Sequence, residues 1–229
     1  MQDYVYYGDE THYKNIYLYC LLGIKNGNEN ILKNEILNLM REYSFPENYE
    51  LHASILFDYN GRLRNGIGLS EAKFYEFVEM TCQNIIKYNS LVFAGYTDKD
   101  KSPQSIPLSQ DLNSDFSKMK DIPLQDKQLK LFAEQAAYAH IAEDGKYPPN
   151  VIARVDHDDT KIDWIGGKKK VSRIYACAKG FIDKDGLPVG EEIAPQVVDE
   201  RCFFLEIADL LTVRLFFDMI LRIWHNSQL

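Results

Sequence analysis

The stretch DYVYYGDETHYKNIYLYCLLGI, residues 3 to 24, decides the reading of the fold. Asp3 to Asp9 is dense in Tyr and Val, and Ile16 to Ile24 is dense in aliphatic and aromatic side chains, the composition of a pleated, half-buried surface. Thr11 to Asn15 is polar and lies between them, so the two runs predict an antiparallel hairpin with a turn at 11 to 15. The first strand is read as ending at Asp9-Glu10. A carboxylate beside so apolar a run is costly to bury without a partner, so it either solvates the strand end or has a charged task.

Downstream, Asn26-Gly27-Asn28 breaks the chain, and Leu32, Ile36, Leu39, Met40 and Tyr43 then fall on one helical face before Pro46. A second helix follows Ser70, with Phe74, Phe77, Val78, Cys82, Ile85 and Ile86 as its buried stripe. Ser90 to Tyr96 reads as the third strand. Residues 97 to 123 turn polar and carry three prolines, which marks an inserted loop within one domain. Leu124 to Glu143 reads as a helix stopped by Gly145 and Pro148-Pro149, and Asn150 to Asp156 as a buried strand ending in acid. Val171, Ile174, Tyr175 and Ala178 suit a helix or a strand; the expectation taken is a short helix. Gln196 to Asp199 is the last strand and Phe203 to His225 the long closing helix. Periodicity alone supports a generic α/β sandwich.

A chain of 229 residues, 45% apolar and 13% aromatic, fits a single packed domain spanning residues 1 to 229. No basic leader precedes an apolar run and no window approaches 18 uninterrupted apolar residues, so the expectation is a cytoplasmic protein without membrane association. Cys20, Cys82, Cys177 and Cys202 are scattered without a C-x-x-C pair, which speaks against a zinc site and a disulfide framework. The net charge of −8 lowers the expectation of tight, non-specific binding to long duplexes.

Three acidic segments carry the chemistry: Gly8-Asp9-Glu10-Thr11, Glu50-Leu51-His52-Ala53, and Leu205-Glu206-Ile207-Ala208-Asp209-Leu210. Acids that converge from distant parts of a chain point to a hard divalent cation, Mg²⁺ or Mn²⁺, whose charge offsets their repulsion. The three segments, in this order, resemble the domain-of-unknown-function 3800 family. Its members have a first strand ending in Asp-Glu-Ser-Gly, a central Glu-(Leu/Ile)-His-Ala, and a final helix opening with Leu-Gln-x-Ala-Asp-Leu. The resemblance runs from Tyr4 to about Phe217 and implies a ribonuclease H-like mixed sheet with helices on both faces. In that arrangement the first strand is central, and its Asp9 lies near Asp156 and Asp209. The motif matches carry ligand roles onto Asp9, Glu50 and Asp209; Asp156 is assigned by position, with Asp158 and Asp159 as alternatives. The chain departs from the pattern at Thr11-His12, in place of Ser-Gly, and at Glu206, in place of Gln.

Such a cluster suits phosphodiester hydrolysis, because two ions about 3.5–4 Å apart hold both the attacking water and the leaving oxygen. The expected activity is that of a metal-dependent nuclease acting on RNA, DNA or a hybrid. The resemblance adds a role as a defence or mobile-element effector. Asp9 is the expected bridging ligand, with Glu50 and Asp156 or Asp209 completing the ion shells. His52 shares a side with Glu50 on an extended segment, where it either shuttles a proton, touches a phosphate, or fixes the Glu50 segment. Lys168, Lys169, Lys170 and Arg173, with Lys161 and Trp164, form either a strand-binding patch or a solvated basic loop. The alternative function is a non-catalytic ribonuclease H-like module that binds a protein or nucleic-acid partner. Metal-free hydrolysis needs only two acids and leaves the others without a task.

Overall fold

A computed structural model describes residues 4–100, 105–106, 122–123, 126–141, 152–156, 161–163, 170–172, 181–182, 188–189, 196–198 and 202–226. The opening hairpin forms as the sequence predicts, from β1 (Tyr4–Tyr13) and β2 (Ile16–Lys25). Its turn is shorter than expected, only Lys14-Asn15, with Lys14 in the left-handed region at φ 54°. Thr11, His12 and Tyr13 each find a ladder partner in Leu18, Tyr17 and Ile16, and those pairings extend the strand. Asp9 is therefore inside β1 and not at its end.

After β2 the chain makes α1 (Glu29–Glu42), the short α2 (Ala53–Leu56) and α3 (Tyr59–Arg64), and then α4 (Glu71–Lys87). Leu32, Ile36, Leu39 and Met40 of α1 are buried as their spacing predicts. Ser70 caps α4, its hydroxyl accepting the Lys73 amide at 3.4 Å. In α4, Phe74, Phe77, Val78 and Ile85 are buried, but Ile86 is 72% exposed. At 100° per residue Ile85 takes the inward place and turns Ile86 to the surface.

The third strand, β3, is Leu91–Asp98, pairing antiparallel with β2. Beyond it come β4 (Ser105–Ile106), β5 (Ile122–Pro123), α5 (Asp126–Ala139), β6 (Ile152–Asp156), β7 (Lys161–Asp163), β8 (Lys170–Ser172), β9 (Phe181–Ile182), β10 (Pro188–Val189), β11 (Gln196–Val198) and α6 (Phe203–Asn226). Val171 lies in strand β8, not in the short helix expected there; Ile174, Tyr175 and Ala178 lie outside the described residues. Asp163 ends β7 and pairs with Lys170 of β8. The pairs β4–β5, β7–β8 and β9–β10 are separate two-stranded sheets.

The main sheet is mixed and five-stranded, in the order β11-β6-β1-β2-β3. β1 sits at its centre, antiparallel to β2 and parallel to β6, which in turn is parallel to β11. Alternation along the strands sorts their residues to two faces. Val5, Tyr7, Cys20, Leu22 and Ile24 share a core with α1, α4 and α6, whereas Tyr6, Tyr17, Tyr19 and Leu21 pack with α5. Helices thus cover both faces of an α/β sheet. On the α5 face two glycines admit close neighbours: a Cβ on Gly8 would run into the Tyr19 hydroxyl, and one on Gly95 into the backbone of Ala133 and Ala137. Among the described residues, no helix is long and apolar enough to cross a membrane.

Candidate active site

The closing helix α6 begins Phe-Phe-Leu-Glu-Ile-Ala-Asp-Leu-Leu, and Phe203, Phe204, Leu205, Ile207, Ala208, Leu210 and Leu211 are all buried. Two acids interrupt this run. Glu206 is itself buried, and its Oε2 accepts the backbone N–H of Leu51 at 2.8 Å. Asp209, one turn later and partly buried, accepts the N–H of Ala53 at 2.8 Å through Oδ2. The match is geometric: residues i and i+3 share a helix face, and amides i and i+2 of an extended segment point the same way. Leu51 is consequently held in the core, while Glu50 and His52 alternate outward to solvent, their side chains 3.9 Å apart.

The same bonds start α2. His52 is its N-cap residue but makes no side-chain cap bond, and the freed amide of Ala53 is satisfied by Asp209 from across the fold. Burial holds the Asp209 carboxyl above its ordinary range; the Ala53 hydrogen bond and the nearby His52 pull the other way.

Asp9 lies on the same face of the sheet, two residues after Tyr7. Its Oδ1 accepts the Glu10 amide at 2.7 Å. On α6, one turn after Asp209, the Thr212 hydroxyl donates to the Ala208 carbonyl at 2.6 Å and also reaches the Asp9 carbonyl at 3.4 Å. That contact sets the closing helix against Asp9. Cys20 is the ladder partner of Asp9; burial pushes its thiol up to about 12, the Asp9 charge adds to the shift, and a Thr212 hydrogen bond opposes it. Cys20 is a core residue.

Asp156 is the last residue of β6, pairs with Val198 of β11, and is the next residue in the register that matches Gly8 to Val155. The two parallel partners therefore bring Asp9 and Asp156 to one edge of the sheet. The Asp156 side chain, Asp158, Asp159, Lys168, Lys169 and Arg173 lie outside what is described, and Lys170 sits opposite Asp163 in the β7–β8 pair. Among the described residues, no group of three or more His, Cys, Asp or Glu side chains is close enough to hold an ion.

A second cluster that the sequence did not signal ties the strand ends together. The Tyr7 hydroxyl donates to Glu29 at the start of α1 and accepts from Arg154 Nη1 at 2.8 Å. The Arg154 guanidinium lies 3.8 Å from Glu29 and 5.5 Å from the centre of the Tyr7 ring. Burial, with the Glu29 carboxylate next in weight, keeps Tyr7 protonated. Tyr7 and Arg154 are ladder partners, each two residues before an acid, so this cluster holds the register that aligns Asp9 with Asp156. The available signal was the pair of equal spacings, Tyr7 to Asp9 and Arg154 to Asp156. In comparisons with known proteins, no family model, curated protein or solved structure matches this chain.

Proposed function

We propose that this chain is a ribonuclease H-like nuclease that hydrolyses phosphodiester bonds with Mg²⁺ or Mn²⁺, as its likeness to the domain-of-unknown-function 3800 family implies. The observation that carries the reading is the docking of α6: Thr212 reaches Asp9, and Asp209 holds the Glu50–Ala53 segment. That docking ties the closing helix to the first strand and to the central segment, each of which carries an acid of the proposed site. The strand order, with an antiparallel hairpin and two parallel strands around a central β1, also suits that fold class.

The donor chemistry fits a hard divalent ion, since carboxylate oxygens are its preferred ligands. In this reading Asp9, Glu50, Asp156 and Asp209 would be the donors, Asp209 through the oxygen that does not hold the Ala53 amide. An ion held there would supply activation of water and stabilisation of the leaving oxygen. Glu206 holds the Leu51 backbone, a task that a Gln carbonyl also performs. His52, exposed beside Glu50, would move a proton or contact a phosphate in this reading. One observation favours the alternative of a non-catalytic binding module for nucleic acid or protein: both α6 carboxylates already have a structural task as backbone acceptors.

The deciding experiment assays single-stranded RNA, DNA and hybrid with Mg²⁺, Mn²⁺ or EDTA, using wild type and Asp9→Asn. Metal-dependent cleavage that falls at least about 100-fold in Asp9→Asn, roughly 2.7 kcal/mol of transition-state stabilisation, is the expected result. Absence of cleavage, together with no metal-induced rise in melting temperature, overturns the nuclease in favour of the binding module.

A further inference from the structure

Residues 49–52 lie in no helix or strand, so no ladder of backbone bonds fixes where Glu50 and His52 stand. The segment is entered through Asn48, in the left-handed region at φ 58°, and left through the short helix α2. Burial of the Leu51 side chain, 1% exposed, decides which side of the segment faces the core. Apolar contact is non-directional, however, and leaves the position along α6 open. Two acids of α6 supply the direction: Glu206 takes the Leu51 amide and Asp209 the Ala53 amide, both at 2.8 Å. Seated in this way, His52 lies 3.9 Å from Glu50 and near enough to Asp209 for its charge to bear on that carboxyl.

The surroundings of Glu206 set it apart from Glu50. Glu206 is 7% exposed, whereas the Glu50 side chain is 48% exposed. A carboxylate enclosed to that degree is costly unless a donor meets it, and the Leu51 backbone is that donor. A bond from an N–H to an ionised carboxylate is shorter and stronger than a neutral one, and the first turn of a helix favours negative charge, which is where Glu206 sits. We infer that Glu206 is a positioning residue: through the Leu51 amide it sets Glu50 and His52 beside Asp209, and it is not itself an ion ligand. This role deepens the ion site proposed above and rests on it. It names a residue that governs metal affinity without touching the metal.

The test reads binding as well as turnover. Mn²⁺ alone is titrated by calorimetry into wild type, Glu206→Gln, Glu206→Ala, Glu206→Asp, Glu50→Gln, and the double variant Glu50→Gln with Glu206→Ala. Hydrogen exchange at the Leu51 amide is followed in the same proteins. Glu206→Asp keeps the charge but falls one methylene short, so it reads the role where the Ala variant does not fold. The expected Kd is at least about 10-fold higher in the Ala and Asp variants, with faster exchange at Leu51, and within about 3-fold of wild type in Glu206→Gln, whose carbonyl also accepts the amide. The double variant should bind no more weakly than Glu50→Gln alone, because the role runs through Glu50. An unchanged Kd in Glu206→Ala, a Gln variant as weak as the Ala variant, or additive losses in the double variant overturns the role and leaves the ion site standing. Wild type that takes up no Mn²⁺ overturns both. The expected pattern of affinities in a protein that cleaves no polymer sustains the role and removes the nuclease.

Discussion

The two faces of the central sheet use alternate residues of the same strands, yet they are fastened to their helices by different means. On the α5 face the contact is mostly apolar and close: Tyr6, Tyr17, Tyr19 and Leu21 meet Leu129, Ala133 and Ala137, Gly95 lets the helix backbone come down onto β3, and one polar tie runs from the Thr97 hydroxyl to the Leu129 carbonyl at 2.7 Å. On the other face an equally apolar core is crossed by polar ties between distant segments, Glu206 to Leu51, Asp209 to Ala53, Thr212 to Asp9, and Tyr7 to Glu29 and Arg154. Close packing tolerates almost no added volume, whereas a directional bond tolerates an isostere that keeps its acceptor. The contrast is one of degree: close backbone approach dominates on the α5 face, and side-chain bonds between distant segments are more numerous on the α6 face.

Each part of that contrast can be broken. The largest effect is expected at Gly95→Val, where the new side chain meets the α5 backbone at Ala133 and Ala137. A loss of about 3 kcal/mol in urea unfolding is the upper range for overpacking, and a loss below about 1 kcal/mol removes the claim of tight packing there. Next comes Asp209. Asp209→Ala leaves the Ala53 amide without its acceptor, for about 1–3 kcal/mol, while Asp209→Asn keeps an acceptor oxygen. The charge enters with a definite sign. Since burial raises the folded-state pKa above the ordinary 3.8, the native state binds more protons than the unfolded one, and Asp209 lowers stability as pH rises from 3.8 through that raised value. In EDTA, Asp209→Asn should thus equal or exceed wild type in melting temperature near neutral pH, the gap closing toward pH 3.8. An Asn variant as unstable as the Ala variant contradicts the acceptor account. Smallest is Tyr7→Phe, expected to cost roughly 1.5 kcal/mol by removing hydrogen bonds to charged partners. A double-mutant cycle with Glu29→Gln sharpens it: coupling of at least about 0.5 kcal/mol is expected, and strict additivity dissolves the cluster as a unit.

Much of the sheet was legible in the sequence because its signals are local. The hairpin, the stripes of α1 and α4, and the helix from Phe203 all follow from period or composition. Asp9 and Asp209 were legible as charges set among apolar residues. Other features depend on partners that no local window contains. Whether β1 stops at Asp9 is decided by β2, which continues to pair through Tyr13. Helices as short as α2 and α3 complete too few turns to display a period. Tyr7 meets Arg154 across 147 residues, and Glu206 meets Leu51 across 155. The task of Glu206 could not be found by inspecting its neighbours, since what it satisfies is a backbone amide, and every non-proline residue carries one.

The excursion from residue 26 to residue 90 leaves and rejoins the sheet at one place, for Gly23 and Leu91 are ladder partners. Its Glu50–Ala53 segment is attached through side chains of α6, the last described element of the chain. During synthesis, which proceeds from the N-terminus, strands β1 and β2 and the whole excursion leave the ribosome before Glu206 and Asp209 exist to receive the Leu51 and Ala53 amides. The two amides are thereby left without these acceptors until α6 has been synthesised, and a nascent chain that stops short of it displays the Glu50–Ala53 segment without its final anchor.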